Sequence, residues 1–264
     1  MKNKVVVITG ASRGIGAELA RQVASKGARL VLAARNAKEL EAVAQECRDR
    51  GGSVITVKAD VAVERDCQAI VSGAALAFGG IDVLVNNAGA TMWARFEDIE
   101  DLSILERIMQ VNYMGAVYCT KHALPHLRAS RGVLVGISSL AGRTGVPTRT
   151  GYSASKHAMT GFFDSLRIEL ADSGVAVTMI YPGFVATGIR ENAAGPDSKP
   201  ILLSPVKEGE VMGVEECARI IIAAIAARKR EVIMTARGKI GLWLKLLAPS
   251  LVDRIARRAI ERGR

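Results

Sequence analysis

Seven short runs of aliphatic and β-branched residues recur along this chain, with helix-length segments between them. The runs are Val5–Thr9, Arg29–Ala33, Ser53–Lys58, Ile81–Val85, Gly132–Ser138, Val175–Ile180 and Glu231–Met234. Gly14–Lys26, Ala37–Arg50, Val63–Phe78, Tyr152–Asp172 and Val214–Ala227 repeat apolar residues at helical spacing, and two more helices fit within Ile99–Ala129. A strand apolar on both faces must be covered on both, and parallel neighbours need a crossover long enough to hold a helix. The pattern predicts a single α/β domain built on a doubly wound, seven-stranded parallel sheet flanked by helices. No linker, repeat or low-complexity segment interrupts it. Residues 1–235 are read as this domain and 236–264 as a basic amphipathic helical extension.

The first strand-to-helix junction reads Thr9-Gly10-Ala11-Ser12-Arg13-Gly14-Ile15-Gly16. Glycines there allow a tight turn and close backbone approach, and the helix start offers unpaired N–H groups to a pyrophosphate. The spacing, G-x-x-x-G-x-G, departs from the common G-x-G-x-x-G. Further on, Tyr152 and Lys156 stand four residues apart at the start of an apolar-periodic helix, which places them on one face a turn apart. A phenol with a reference pKa of about 10 is a poor acid–base group at neutral pH. A nearby ammonium favours the phenolate and so fits Tyr152 for proton transfer. Ser139 lies 13 residues before Tyr152, at the end of a buried-strand pattern, where a hydroxyl can hold a substrate oxygen. Ser138 competes for that role, and the spacing favours Ser139.

Together these motifs resemble the short-chain dehydrogenase/reductase family. Thr-Gly-x-x-x-Gly-x-Gly at 9–16, Asn86-Asn87-Ala88-Gly89, Asn112, Ser139, Tyr152 with Lys156, and Pro182-Gly183 match it in order, from residue 4 to about 235. The resemblance implies a Rossmann fold and an oxidoreductase that interconverts a ketone and a secondary alcohol by hydride transfer. It implies Tyr152 as catalytic acid/base and Lys156 as the group that lowers its pKa and binds the nicotinamide ribose. Ser139 would hydrogen-bond the reacting oxygen, and Asn112 would hold a water in the proton relay. Cofactor contacts are implied at Gly10, Ser12, Arg13, Gly14, Ile15, Gly16, Arg35, Asp60, Val61, Asn87, Ala88, Gly89, Tyr152, Lys156, Pro182, Gly183, Val185 and Thr187. Asp60 would meet the adenine and Thr187 the carboxamide, while Asn86 is read as a structural hydrogen-bonder. A non-catalytic NADP(H)-binding regulator is the alternative of a different class; such proteins typically lose the Tyr or the Lys, and this chain keeps both.

Charge indicates the nucleotide. An NAD-preferring site places an acid at the end of the second strand to bind the ribose 2′-hydroxyl. Here the strand ends Ala33-Ala34-Arg35-Asn36, and Arg13 adds a second cation inside the glycine turn. Guanidinium groups suit a phosphate bidentately, so NADP(H) is expected.

The segment 188–212 contains Gly195-Pro196 and Pro200, and is read as a substrate lid. Met92, Trp93, Leu140, Val146, Phe184, Ile189, Leu202 and Leu203 are candidate pocket residues, mostly apolar, which favours a lipophilic ketone or alcohol. A 3-oxoacyl-carrier-protein-type reductase is the second reading. The ending Arg-Glu-Val-Ile-Met-Thr-Ala-Arg-Gly-Lys looks more like the branch with hydroxysteroid dehydrogenases.

Four scattered cysteines without a C-x-x-C pair suggest reduced thiols, and the first strand pattern begins at Lys4; a cytoplasmic protein without signal peptide or N-terminal anchor is expected. His122 and His126 have Pro125 between them and no third ligand nearby, so no metal is expected. The resemblance implies a homodimer or homotetramer through the helices at 112–129 and 152–172, with Tyr118, Phe162, Phe163 and Leu166 as interface candidates.

The formal net charge is +10, and it is concentrated: residues 228–264 hold eleven Lys/Arg against three acids. Within that stretch Ile240, Trp243, Leu244 and Leu247 fall on one helical face; Pro249 would stop that helix and Ser250-x-x-Asp253 would cap a second. In the second, Leu251, Val252, Ile255 and Ala259 oppose Arg254, Arg257, Arg258 and Arg262. Residues 237–262 fit either peripheral contact with an anionic membrane or packing on the sheet edge or across a dimer. No recognised nucleic-acid-binding module accompanies the charge, and no nucleic-acid partner is expected.

Overall fold

The computed structural model describes residues 1–189, 192–202 and 211–262. Seven parallel strands, β1 (Val5–Thr9), β2 (Arg29–Ala34), β3 (Ser53–Lys58), β4 (Val83–Asn86), β5 (Val133–Ile137), β6 (Ala176–Tyr181) and β7 (Glu231–Ile233), form one sheet in the order β3-β2-β1-β4-β5-β6-β7. The order reverses at β1, so the crevice between β1 and β4 opens at their C-terminal ends, the place where doubly wound sheets bind ligands. Val6 pairs with both Leu30 and Val83, and Thr9 with Ala33, which brings the glycine turn level with the end of β2.

Strands apolar on both faces are covered on both. The helices α1 (Gly14–Ala24), α2 (Ala37–Asp49) and α7 (Val214–Ala226) bury Leu19, Leu40 and Ile221 against Val6, Ile8, Leu30 and Leu32. On the other face α3 (Glu64–Phe78), α5 (Gly115–Ser130) and α6 (Thr150–Glu169) bury Ile70, Leu127 and Phe163 against Val7, Val31, Leu84 and Leu134.

The two helices expected within Ile99–Ala129 are present as α4 (Ser103–Met109) and α5, joined by a π-helical turn, Gln110–Met114. Three expectations need correction. Phe163 and Leu166, expected at an interface, lie on the inner face of α6 and are 0% and 8% exposed, whereas Phe162 is half-buried and Ile168 fully outside. The tail helices are α8 (Ala236–Leu247) and α9 (Pro249–Arg262), so Pro249 opens the second helix and Ser250 lies within it. Proline is well suited to a first helical position, where its missing N–H would bond to nothing in the helix. The last correction concerns packing. Ile240, Trp243 and Leu247 do not pack on the sheet edge; they are 67%, 72% and 84% exposed, while Leu244 is half-buried.

Candidate active site

Glycine is required by geometry at the first turn. Gly10 and Gly14 have φ of +65° and +57°, a region that side chains rarely adopt. A Cβ on Gly16 would lie 2.4 Å from the Gly10 carbonyl oxygen and 2.5 Å from Asn87 Nδ2. Asn87 in turn donates to the Thr9 and Gly10 carbonyls at 2.9 and 3.1 Å, and Thr9 Oγ1 accepts from the Asn87 and Ala88 amides. Asn87 and Ala88 therefore fix the turn itself. No side chain caps α1, and its first turn carries no acid. Its N–H groups and Arg13, which is exposed, are thus open to an anion, the condition a dinucleotide pyrophosphate requires. A Cβ on Gly14 would meet Thr187, at 3.1 Å, which sets the turn after β6 beside the glycine turn. Pro182, Gly183 and the buried Val185 begin that same turn.

At the end of β2, Arg35 extends into solvent, its guanidinium 4.0 Å from the Asp60 carboxylate beyond β3. Asp60 also accepts from the Ala62 amide, and its own amide donates to Asp66. Ser12, Ile15, Val61 and Gly89 lie along the same C-terminal edge of the sheet. Asn86 is buried and donates to Thr120 Oγ1 at 3.2 Å.

Tyr152 and Lys156 lie one turn apart on α6, buried at 9% and 4% exposure. Lys156 Nζ donates to the Ile137 carbonyl at 2.8 Å and stands 5.9 Å from the Tyr152 ring centroid. Burial lowers its ammonium from 10.5 to about 8. Burial also holds the Tyr152 phenol above its ordinary value, opposed first by the Arg149 guanidinium and then by the Ser139 hydroxyl. The sequence pointed to Lys156 as the cation beside the phenol; the structure adds Arg149 as a second one, while the Lys156 ammonium also bonds the end of β5.

Ser139 caps a short 3-10 turn, Leu140–Gly142, its hydroxyl accepting from the Ala141 amide at 3.2 Å. Ser138 faces away, donating to the Lys156 carbonyl at 3.3 Å. Asn112 sits in the π turn, 1% exposed; its amide accepts from Ala90 N at 2.7 Å and donates to Ala90 O and Ser155 Oγ at 2.9 and 2.8 Å. It ties α5 to the strand-end loop and to α6 at once.

The pocket candidates divide. Met92 and Val146 pack with Tyr152 in a small apolar cluster; Trp93 and Phe184 flank Arg149; Leu140 packs on the core and beneath Gly238 of α8. Ile189 and Leu202 are exposed at 40% and 74%. Leu203, with 190, 191 and 203–210 of the expected lid, lies outside the described residues. The described part of that segment bridges Ala194 to Met92 and to Pro200, and Met212 to Val185. Arg149 itself was not anticipated. Its one sequence signal is its place three residues before Tyr152, on the same helical face. His122 Nε2 lies 3.4 Å from a Glu64 carboxylate oxygen, and no group of three metal-ligating side chains occurs among the described residues.

The chain matches the family model for short chain dehydrogenase over residues 4–197. It is 37% identical over 258 residues to the Dehydrogenase/reductase SDR family protein 7-like of Dictyostelium discoideum, covering 96% of this chain and 80% of that one. It is 38% identical over 260 residues to 11-beta-hydroxysteroid dehydrogenase 1A of Arabidopsis thaliana, covering 95% and 73%. Among solved structures, a short chain dehydrogenase/reductase from Burkholderia phymatum in complex with NAD superposes with a TM-score of 0.86 at 28% identity, over 95% of both chains. An alcohol dehydrogenase from Thermococcus sibiricus complexed with 5-hydroxy-NADP gives 0.76 at 27% identity, over 88% of this chain and 96% of that one.

Proposed function

The chain belongs to the short-chain dehydrogenase family, and from that premise we propose that it is an NADP(H)-dependent oxidoreductase interconverting a lipophilic ketone and its secondary alcohol. The bound dinucleotide supplies or takes up the hydride. This chain's residues do the rest. Ser139 and Tyr152 hold the carbonyl oxygen, and Tyr152 transfers the proton to it as the hydride arrives at carbon; oxidation runs the same steps in reverse. An ammonium that ionises near pH 8 can pass a proton to the phenolate and recover it at neutral pH, the role we give Lys156. Asn112 holds Ala90 in place at the edge of the site and orders a water in the relay.

The observation that carries the nucleotide assignment is Arg35 at the end of β2, where an NAD-specific site has an acid. Arg13 and Arg35 are both exposed on the edge that leads to the glycine turn, suited to a 2′-phosphate. Arg35→Asp combined with Ala34→Asp is expected to raise the KM for NADPH about a hundredfold and that for NADH little. Unchanged relative KM values would refute the assignment.

The substrate class rests on the apolar cluster of Met92 and Val146 packed beside Tyr152, and on relatives named as hydroxysteroid dehydrogenases. We further propose that α5 and α6 pair across a homodimer or homotetramer and that α8 and α9 rest on an anionic membrane surface. No helix among the described residues is long and apolar enough to cross a membrane.

A further inference from the structure

Arg149 ends the loop before α6 and is 8% exposed, a degree of burial arginine seldom reaches. Its guanidinium carbon lies 4.5 Å from the Trp93 ring centroid, 5.5 Å from that of Phe184 and 5.6 Å from that of Tyr152. Two remote parts of the chain supply the first two rings, the loop after β4 and the turn after β6, and α6 itself supplies the third. A cation within about 6 Å of an aromatic face is held by the ring quadrupole, more strongly once water is excluded. The charge is therefore built into the catalytic pocket.

We propose that Arg149 is a positioning residue for Tyr152, a permanent cation seated at the phenol that favours its ionised form and extends its acid–base function to alkaline pH. This rests on the reading of Tyr152 as the acid/base. Two cations flank the ring, and they differ in kind. The Lys156 ammonium falls to about 8 and loses its charge as pH rises past that point. A guanidinium stays charged throughout the range in which a protein works. Above pH 8, then, Arg149 is the one cation of the pair that still stands beside the phenol.

The other surroundings bring no competing charge among the described residues. From α4 come Ile104, Leu105 and Ile108; from the strand-end loop Ala90, Met92 and Ala94; from the turn after β5 Ala141 and the Ser139 hydroxyl; and from the segment after β6 Ala194.

The test follows the ultraviolet absorbance of tyrosinate during alkaline titration of the whole protein, with the Tyr152→Phe signal subtracted to isolate one phenol among four. The pH profile of alcohol oxidation is measured alongside. Arg149→Met, whose thioether packs well against aromatic rings, is expected to move the Tyr152 midpoint upward and to lower kcat/KM about tenfold at neutral pH. Arg149→Lys is expected to restore both in large part, since it returns the charge. Arg149→Gln provides a second neutral variant should the first not fold. An unmoved midpoint in either folded neutral variant overturns the proposal, as does an Arg149→Lys protein indistinguishable from Arg149→Met. A rise in KM for acidic substrates alone, with the midpoint unmoved, would make Arg149 an anion receptor instead and likewise overturn it. Turnover surviving in Tyr152→Phe would refute the acid/base reading separately, whatever Arg149 does to the phenol.

Discussion

Lys156 holds its ammonium in a nearly water-free position with one carbonyl as acceptor, and its ionisation falls from 10.5 to about 8. The folded value lies below the unfolded one, so between those limits the unfolded chain binds more protons and stability rises with pH. Below pH 8 the buried charge carries its full desolvation cost, roughly 3 kcal/mol. Lys156→Met removes that cost, though it leaves the Ile137 carbonyl without its donor, at about 1–3 kcal/mol. Denaturant unfolding should show the variant gaining on the wild type at pH 7, with the difference moving steadily in favour of the wild type from pH 8 to 10.5. A difference that moves the other way would mean the ammonium is not desolvated. Tyr152, Lys156, Ser139 and the glycines were legible because each belongs to a local spacing with a mechanical reason. Arg149 was not. An arginine at a helix start reads as a solvated charge, and its burial depends on Trp93 and Phe184, far away in the sequence.

Among the elements, the π turn at Gln110–Met114 shows most clearly what periodicity misses. An extra residue in a helical turn changes no composition, so the sequence showed the two helices but not the π turn that joins them. The turn places the Asn112 amide on both backbone groups of Ala90 and on Ser155, a buried network whose members would all lose partners together. Asn112→Ala is expected to cost roughly 2–4 kcal/mol in denaturant unfolding and to reduce turnover. A loss below half a kcal/mol, on the order of an exposed site, would contradict this role. In α6 the apolar positions were found, yet a helix with one face on the sheet and another outward offers two stripes. Phe163 and Leu166 belong to the inner one.

At the scale of the molecule, the strand count, parallel sense and helical cover were all readable, since continuous apolar strands admit few other arrangements. The surroundings of α8 and α9 were not. Of the two, α8 touches the body, through Gly238 against Leu140 and Lys245 on the Arg143 carbonyl, close to the site. Ile240, Trp243, Leu246 and Leu247 remain exposed at 67–84% amid the basic excess. Such a surface suits an interface of anionic lipid, with Trp243 at headgroup level. Sedimentation with anionic vesicles should show salt-sensitive binding that Trp243→Glu with Leu247→Glu abolishes while turnover persists. Equal binding by the variant, or none by the wild type at low salt, would exclude the membrane role.

The central claim is that Tyr152 delivers the proton while an NADP(H) hydride reaches the carbonyl carbon. It is tested by NADPH consumption with a panel of aromatic and cyclic ketones, comparing wild type with Tyr152→Phe, and by NADPH Kd for both. The account predicts turnover by the wild type that falls about a thousandfold on losing the hydroxyl, with NADPH Kd little changed. Turnover that survives in Tyr152→Phe would contradict it.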